Sequence, residues 1–137
     1  MTYWDASSLV PLVIKEPTTA LYLRIAQESG VTTWWGSYVE CVAAITRHAQ
    51  QGNAMPQVAE SYRLLEQLSE EWAEMGANEQ LRRAAARAAR QHNLRSGDAF
   101  QLGAAMIASR FEPHDARFLT RDLRLKKAAE REGFVVD

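Results

Sequence analysis

The chain has one cysteine, Cys41, among its 137 residues. No intramolecular disulfide can staple it, and a reducing compartment is the simplest setting. Its three histidines, His48, His92 and His114, show with Cys41 none of the spacing of a zinc site. No apolar run approaches the ~20 residues that span a bilayer. The first residues carry no basic stretch of the kind that opens a signal peptide. The expectation is a soluble, cytoplasmic protein with no membrane partner. Neither sign of charge dominates: 16 Lys and Arg face 17 Asp and Glu, for a net charge of −1. A broad, non-specific nucleic-acid binder would show a basic excess. A small basic patch beside an acidic site is compatible with this balance. No Gly-, Ser- or Pro-rich linker divides the chain, and no solenoid-period repeat runs through it.

What is present is ordinary for a globular protein: 47% apolar and 24% charged residues. The length suits a single domain over residues 1–137. A chain of this size buries about two-thirds of its unfolded surface and needs no structural metal to fold. Short apolar runs at Thr2 to Trp4, Val31 to Trp34, Arg117 to Thr120 and Phe134 to Val136 read as strands, with a weaker one at Trp72 to Met75. Helices are predicted over Ser7 to Glu16, Thr18 to Ser29, Ser37 to Gln51, Gln57 to Glu71, Asn78 to Gln91, Ser96 to Arg110 and Asp122 to Glu132. Gly103, Ala104, Ala105 and Ala108 suit the Ser96 helix to close packing. Short strands alternating with helices give an α/β fold, a three-layer α/β/α sandwich around a mainly parallel sheet. In such folds ligands bind outside the carboxyl ends of the strands.

Four carboxylates fall at or near that edge. Asp5 follows the first strand, and Asp122 follows the strand that ends at Thr120. Asp98 and Glu40 sit in the first turns of their helices. Each also has a structural explanation. Asp5 and Asp122 suit helix N-caps, Ser37 and Glu40 fit a capping box, and Asp98 suits the helix dipole. Glu40 lies off its helix's apolar stripe of Tyr38, Val42, Ile45 and Ala49, and spacing alone does not place it in a site. Acids gathered at one edge repel each other and raise each other's pKa values. A hard divalent cation neutralises such a set. Mg²⁺ and Mn²⁺ take oxygen ligands and commonly bridge carboxylates to phosphate, so convergence of the four implies metal-dependent phosphoryl hydrolysis.

The segments Trp4-Asp5-Ala6-Ser7-Ser8-Leu9-Val10, Ser37-Tyr38-Val39-Glu40, Leu94-Arg95-Ser96-Gly97-Asp98-Ala99-Phe100-Gln101-Leu102-Gly103-Ala104-Ala105 and Phe118-Leu119-Thr120-Arg121-Asp122-Leu123 together resemble the PIN-domain ribonucleases. The subgroup they look most like is the VapC-type toxins of bacterial toxin–antitoxin pairs. The resemblance spans nearly the whole chain, with the motifs in family order. It implies a PIN-like fold and an endoribonuclease that hydrolyses RNA with metal-activated water, leaving a 5′-phosphate and a 3′-hydroxyl. Asp5, Glu40, Asp98 and Asp122 match the family's acidic positions and would hold one or two Mg²⁺ or Mn²⁺ ions. Ser7 and Thr120 match the polar positions beside them, where a hydroxyl orients a carboxylate; Ser7 equally suits a helix cap. Asp115 is the competing fourth acid. Asp122 is preferred, because Thr-x-Asp after a strand is the family form, while Asp115 precedes its strand and should fall at the opposite end. The resemblance further implies a cognate antitoxin, a tRNA or rRNA substrate and a homodimer.

Among the cations, Arg95, Arg121 and Arg124 are the candidate RNA contacts, Arg95 serving equally as a partner of one of the acids; Lys126 and Lys127, close to Asp122, are placed to neutralise RNA phosphates as well. Arg83, Arg87 and Arg90 share one helix face, read as solvated, with Glu79 pairing Arg83. Extended backbone at Trp34-Trp35 would send one indole outward. His48 and His92 read as surface residues, and Cys41 as a small core residue. Two other readings stay open: a PIN nuclease of RNA processing outside a toxin pair, and a catalytically silent PIN-like partner-binding module. A phosphoacceptor receiver would need paired acids after its first strand, and a haloacid-dehalogenase-type phosphatase needs Asp-x-Asp, which Asp5-Ala6-Ser7 lacks.

Overall fold

The computed structural model of the chain describes residues 1–52 and 55–137. The elements run β1 (Thr2–Trp4), α1 (Ala6–Val13), α2 (Thr19–Ser29), β2 (Thr32–Trp34), α3 (Ser37–Ala49), α4 (Met55–Glu71), β3 (Ala73–Met75), α5 (Glu79–His92), α6 (Ser96–Ala108), β4 (Arg117–Leu119) and α7 (Leu123–Glu132). The four strands form one all-parallel sheet in the order β3-β2-β1-β4. Successive strand residues face opposite sides of a sheet, and β1 shows it. Tyr3 faces a core built with α5, α6 and α7, and Trp4 one built with α1 to α4. In β4, Phe118 and Leu119 divide in the same way, and Tyr3 stacks on Phe118 at 5.4 Å. Two buried faces explain why β1 and β4 each carry two successive bulky apolar residues, Tyr3 and Trp4, Phe118 and Leu119. The result is α/β, helices on both sides of a parallel sheet.

The small residues of α6 serve its contact with α5. A Cβ on Gly103 would lie 2.6 Å from the Ala85 nitrogen, so only glycine allows this approach. Trp34 packs on the same side, stacked on Phe100 at 4.8 Å, while Trp35 is 61% exposed.

Three expectations are corrected. The predicted last strand, Phe134 to Val136, is a single bridge between Arg117 and Val135. Phe134 turns into the core against Phe118 immediately after α7 closes, leaving one rung for the ladder. The first helix stops at Val13 rather than Glu16. Pro17 disfavours helical backbone at Glu16, whose N–H is taken by Thr19 Oγ1 at 2.9 Å. His92 is not a surface residue. Its side chain is 4% exposed and meets Glu132 at 2.7 Å, and Arg87 joins the same carboxylate. Arg83 does pair with Glu79, at 3.3 Å.

Candidate active site

The ends of β1 and β4 are tied at the carboxyl edge by the Asp5 N–H, which donates to the Leu119 carbonyl at 2.9 Å. Ser8, buried beneath, donates to the carbonyls of Asp5 and Leu119. Asp5 and Thr120 therefore leave adjacent strands side by side. The Ser7 and Thr120 hydroxyls both donate to Asp5 Oδ2, at 2.6 and 2.7 Å, so neither takes Oδ1. Ser7 is thus a partner of Asp5, and the Asp5 side chain makes no helix-capping bond. Helices α3, α6 and α7 deliver Glu40, Asp98 and Asp122 to the same place. The four carboxylates line one cleft of about 340 Å³ with Ser7 and Arg47. Asp115 lies in the 3₁₀ turn before β4, paired with His114, outside that cleft.

The capping box does not form. Gly36 occupies the N-cap position of α3, and Ser37 is fully buried in a different role. Thr33 Oγ1 donates to the Trp4 carbonyl at 2.7 Å, so the Ser37 hydroxyl donates to Thr33 at 2.6 Å. Gln101 then donates from Nε2 to Ser37 Oγ and to Glu40 Oε1, both at 3.1 Å. Its Oε1 accepts from the Tyr3 hydroxyl at 2.8 Å, which fixes the amide's orientation. Gln101 is wholly buried and holds Glu40 over the cleft floor. The Trp34 indole N–H is buried without a partner at hydrogen-bond distance, yet lies near enough to Glu40 to favour its charged form weakly. Asp122 keeps the predicted capping role, accepting from the Leu125 N–H at 2.9 Å, and lines the cleft as well.

Burial is the main electrostatic cause throughout. It raises Asp5 above the ordinary carboxylate range, against the hydroxyls of Ser7 and Thr120 and the backbone N–H groups of Ser7 and Ala6. Burial and then the Asp5 charge push Glu40 up to about 7, with Gln101 opposing and Asp98 adding. Burial, then the charges of Asp122 and Asp5, raise Asp98; Arg124 and Arg95 pull the other way. Burial also lifts the Cys41 thiol to about 12, which suits a core residue.

Asp5, Glu40 and Asp98, three carboxyls that resist ionisation, suit a hard divalent cation, which would lower their pKa values. Among the described residues, no three Asp, Glu, His or Cys side chains stand close enough together to enclose an ion. The acids line an open cleft rather than a cage. That is the looser arrangement that Mg²⁺, keeping several of its waters, can use.

Of the predicted RNA contacts, Arg95 and Arg124 lie within electrostatic reach of Asp98, whereas Arg121 is held by Glu16 at 2.6 Å. Gln101 and Arg47 were not singled out from the sequence. Each had a helical signal: Gln101 stands three residues after Asp98 and Arg47 seven after Glu40, on the same faces. Comparison with protein-family models and with curated proteins finds no match for the chain.

Proposed function

We propose that the chain is a Mg²⁺- or Mn²⁺-dependent endoribonuclease of the PIN type, acting as the toxin of a toxin–antitoxin pair. One observation carries the reading: Asp5, Glu40, Asp98 and Asp122, from four separate elements, line one cleft at the carboxyl edge of a parallel sheet. These four carboxylates would hold the cation, which supplies Lewis acidity and charge neutralisation toward a phosphodiester. Ser7 and Thr120 orient Asp5 through its Oδ2. Gln101 orients Glu40. Arg95 and Arg124, beside Asp98, offset the repulsion between an acidic cleft and a polyanionic strand.

The antitoxin part of the reading is supported by an apolar groove of about 360 Å³ where Leu12, Leu23, Leu64, Leu68 and Trp72 converge. It suits an apolar segment of a partner. Among the described residues no helix is long and apolar enough to cross a membrane. Cytoplasmic location, a tRNA or rRNA target and a homodimer belong to the same proposal.

The test is cleavage of total RNA by purified protein with Mg²⁺, with Mn²⁺ and with EDTA, beside Asp98→Asn. Discrete metal-dependent fragments that the variant does not produce are expected, and their ends identify the target. No cleavage and no metal binding would instead identify a silent partner-binding module. Cleavage with no antitoxin-like partner encoded nearby would favour RNA processing outside a toxin pair.

A further inference from the structure

Helix α7 begins one residue after Asp122, and its cations do not all face the same way. Arg124, Lys127 and Arg131 stand at i, i+3 and i+7, on one face. With His92, Asn93 and Leu94 from the end of α5 they line a cavity of about 220 Å³. Arg121 is turned away to Glu16, and Lys126 lines a different cavity with Asp137.

Cations gathered in so small a space repel one another unless acids answer them. Here the acid at the edge of the cluster is already engaged. Glu132, its side chain 7% exposed, is held by His92 at 2.7 Å and Arg87 at 3.2 Å. Among the described residues, neither Lys127 nor Arg131 has a carboxylate within ion-pair distance. Arg124 is anchored instead by the Asn93 carbonyl at 3.1 Å, which Asn93 presents from left-handed backbone with φ 52°. Arg124 is therefore held in place beside two cations, Lys127 and Arg131, that have no acid partner, a pattern that suits an external anion.

Its place in the fold says which anion. Asp122, two residues before Arg124, lines the acidic cleft, and the Arg124 charge reaches Asp98 across the same boundary. The two cavities, one acidic and one basic, thus meet at the start of α7. An RNA strand entering the cleft needs its neighbouring phosphates held against the repulsion of four acids. Arg and Lys side chains do this without reading sequence.

We propose that Arg124, Lys127 and Arg131 form a binding site for the phosphates of the RNA backbone and hold the strand alongside the acidic cleft. This rests on the nuclease reading for its ligand; it keeps Arg124 and Lys127 on the substrate surface, adds Arg131 and removes Arg121.

The test is fluorescence anisotropy of a labelled RNA hairpin with a single-stranded loop, bound to the full chain in EDTA over a range of KCl concentrations. Lys127→Gln with Arg131→Gln should weaken binding at least about tenfold at moderate salt. It should also lower the slope of log affinity against log salt by about 1.4–1.8, two phosphate contacts' worth. Arg24→Gln with Arg63→Gln removes the same formal charge from α2 and α4, on the other side of the sheet, and should leave the slope unchanged. Equal losses in both pairs, an unchanged slope in the α7 pair, or displacement of the RNA by poly-glutamate at comparable charge concentration would overturn the proposal. Binding through α7 without cleavage in Mg²⁺ would support the phosphate site and overturn the nuclease reading alone. Cleavage with unaltered binding in the α7 pair would do the reverse.

Discussion

Glu40 is the cleft residue whose chemistry is most exposed to test. Its folded pKa of about 7 lies above its ordinary 4.5, so folding favours the protonated carboxyl. That stability is fully present below about pH 4.5 and is lost as pH rises through about 7. Asp5 and Asp98, raised as well, act in the same direction. Metal-free protein should therefore lose thermal stability between pH 5 and pH 8. Glu40→Gln should remove part of that loss, roughly 1–2 kcal/mol at pH 8 after allowing for solvent screening, or a few degrees in Tm. A Tm that rises from pH 5 to pH 8 in the wild type, or a variant less stable at pH 8, would contradict it. Gln101 is the second residue-scale test. Gln101→Leu leaves the buried Tyr3 hydroxyl without an acceptor and Glu40 without its donor. The expected cost is about 1–3 kcal/mol in chemical denaturation, with cleavage reduced more than the folded fraction accounts for. Unaltered turnover in a folded variant would remove Gln101 from the site. Gln101 was not legible in the sequence, and Glu40 was legible only through the resemblance and not from spacing, because of distance along the chain. Spacing on α3 sets Glu40 off the apolar stripe, and only the fold brings it near Asp5 and against Gln101, 61 residues later. Asp5 was legible, because it ends the strand that begins the fold.

At the scale of elements, short runs of aromatic, aliphatic and β-branched residues announced β1, β2 and β4. The Phe134 run carried the same signal and formed only one bridge, since Phe134 fills the core beside Phe118. Composition does not distinguish a core plug from a strand. His92 was misread for a related reason: its burial depends on Glu132 on α7, which no local pattern announces. Close packing of α6 was legible, because small residues at helical spacing serve close approach; that α5 is its partner was not. Gly103→Ala tests it directly. The added methyl would press on the Ala85 backbone, and backbone cannot yield as a side-chain tip does. The expected destabilisation is about 1–3 kcal/mol, read as a lower Tm. A gain in stability, the usual result of placing Ala in a free helix, would show that the helices stand further apart.

For the whole molecule, a near-neutral chain holds two opposite fields at one end of a parallel sheet. An acidic cleft lies where β1 and β4 end, and a basic cavity lies along α7. The acids stand in separate elements, so the fold itself assembles the site. Asp5→Asn and Asp98→Asn should both keep the α/β fold by circular dichroism and lose RNA cleavage by at least about a hundredfold, as expected when a cation ligand is removed. A variant that cleaves like the wild type would exclude its residue.

The most direct measurement is calorimetric titration of Mn²⁺ into metal-free protein, wild type beside Asp98→Asn. Saturable binding in the wild type, weakened at least about tenfold in the variant, is the predicted result. Equal affinity in the two proteins, or no binding in either, would contradict the claim that these carboxylates are a metal site.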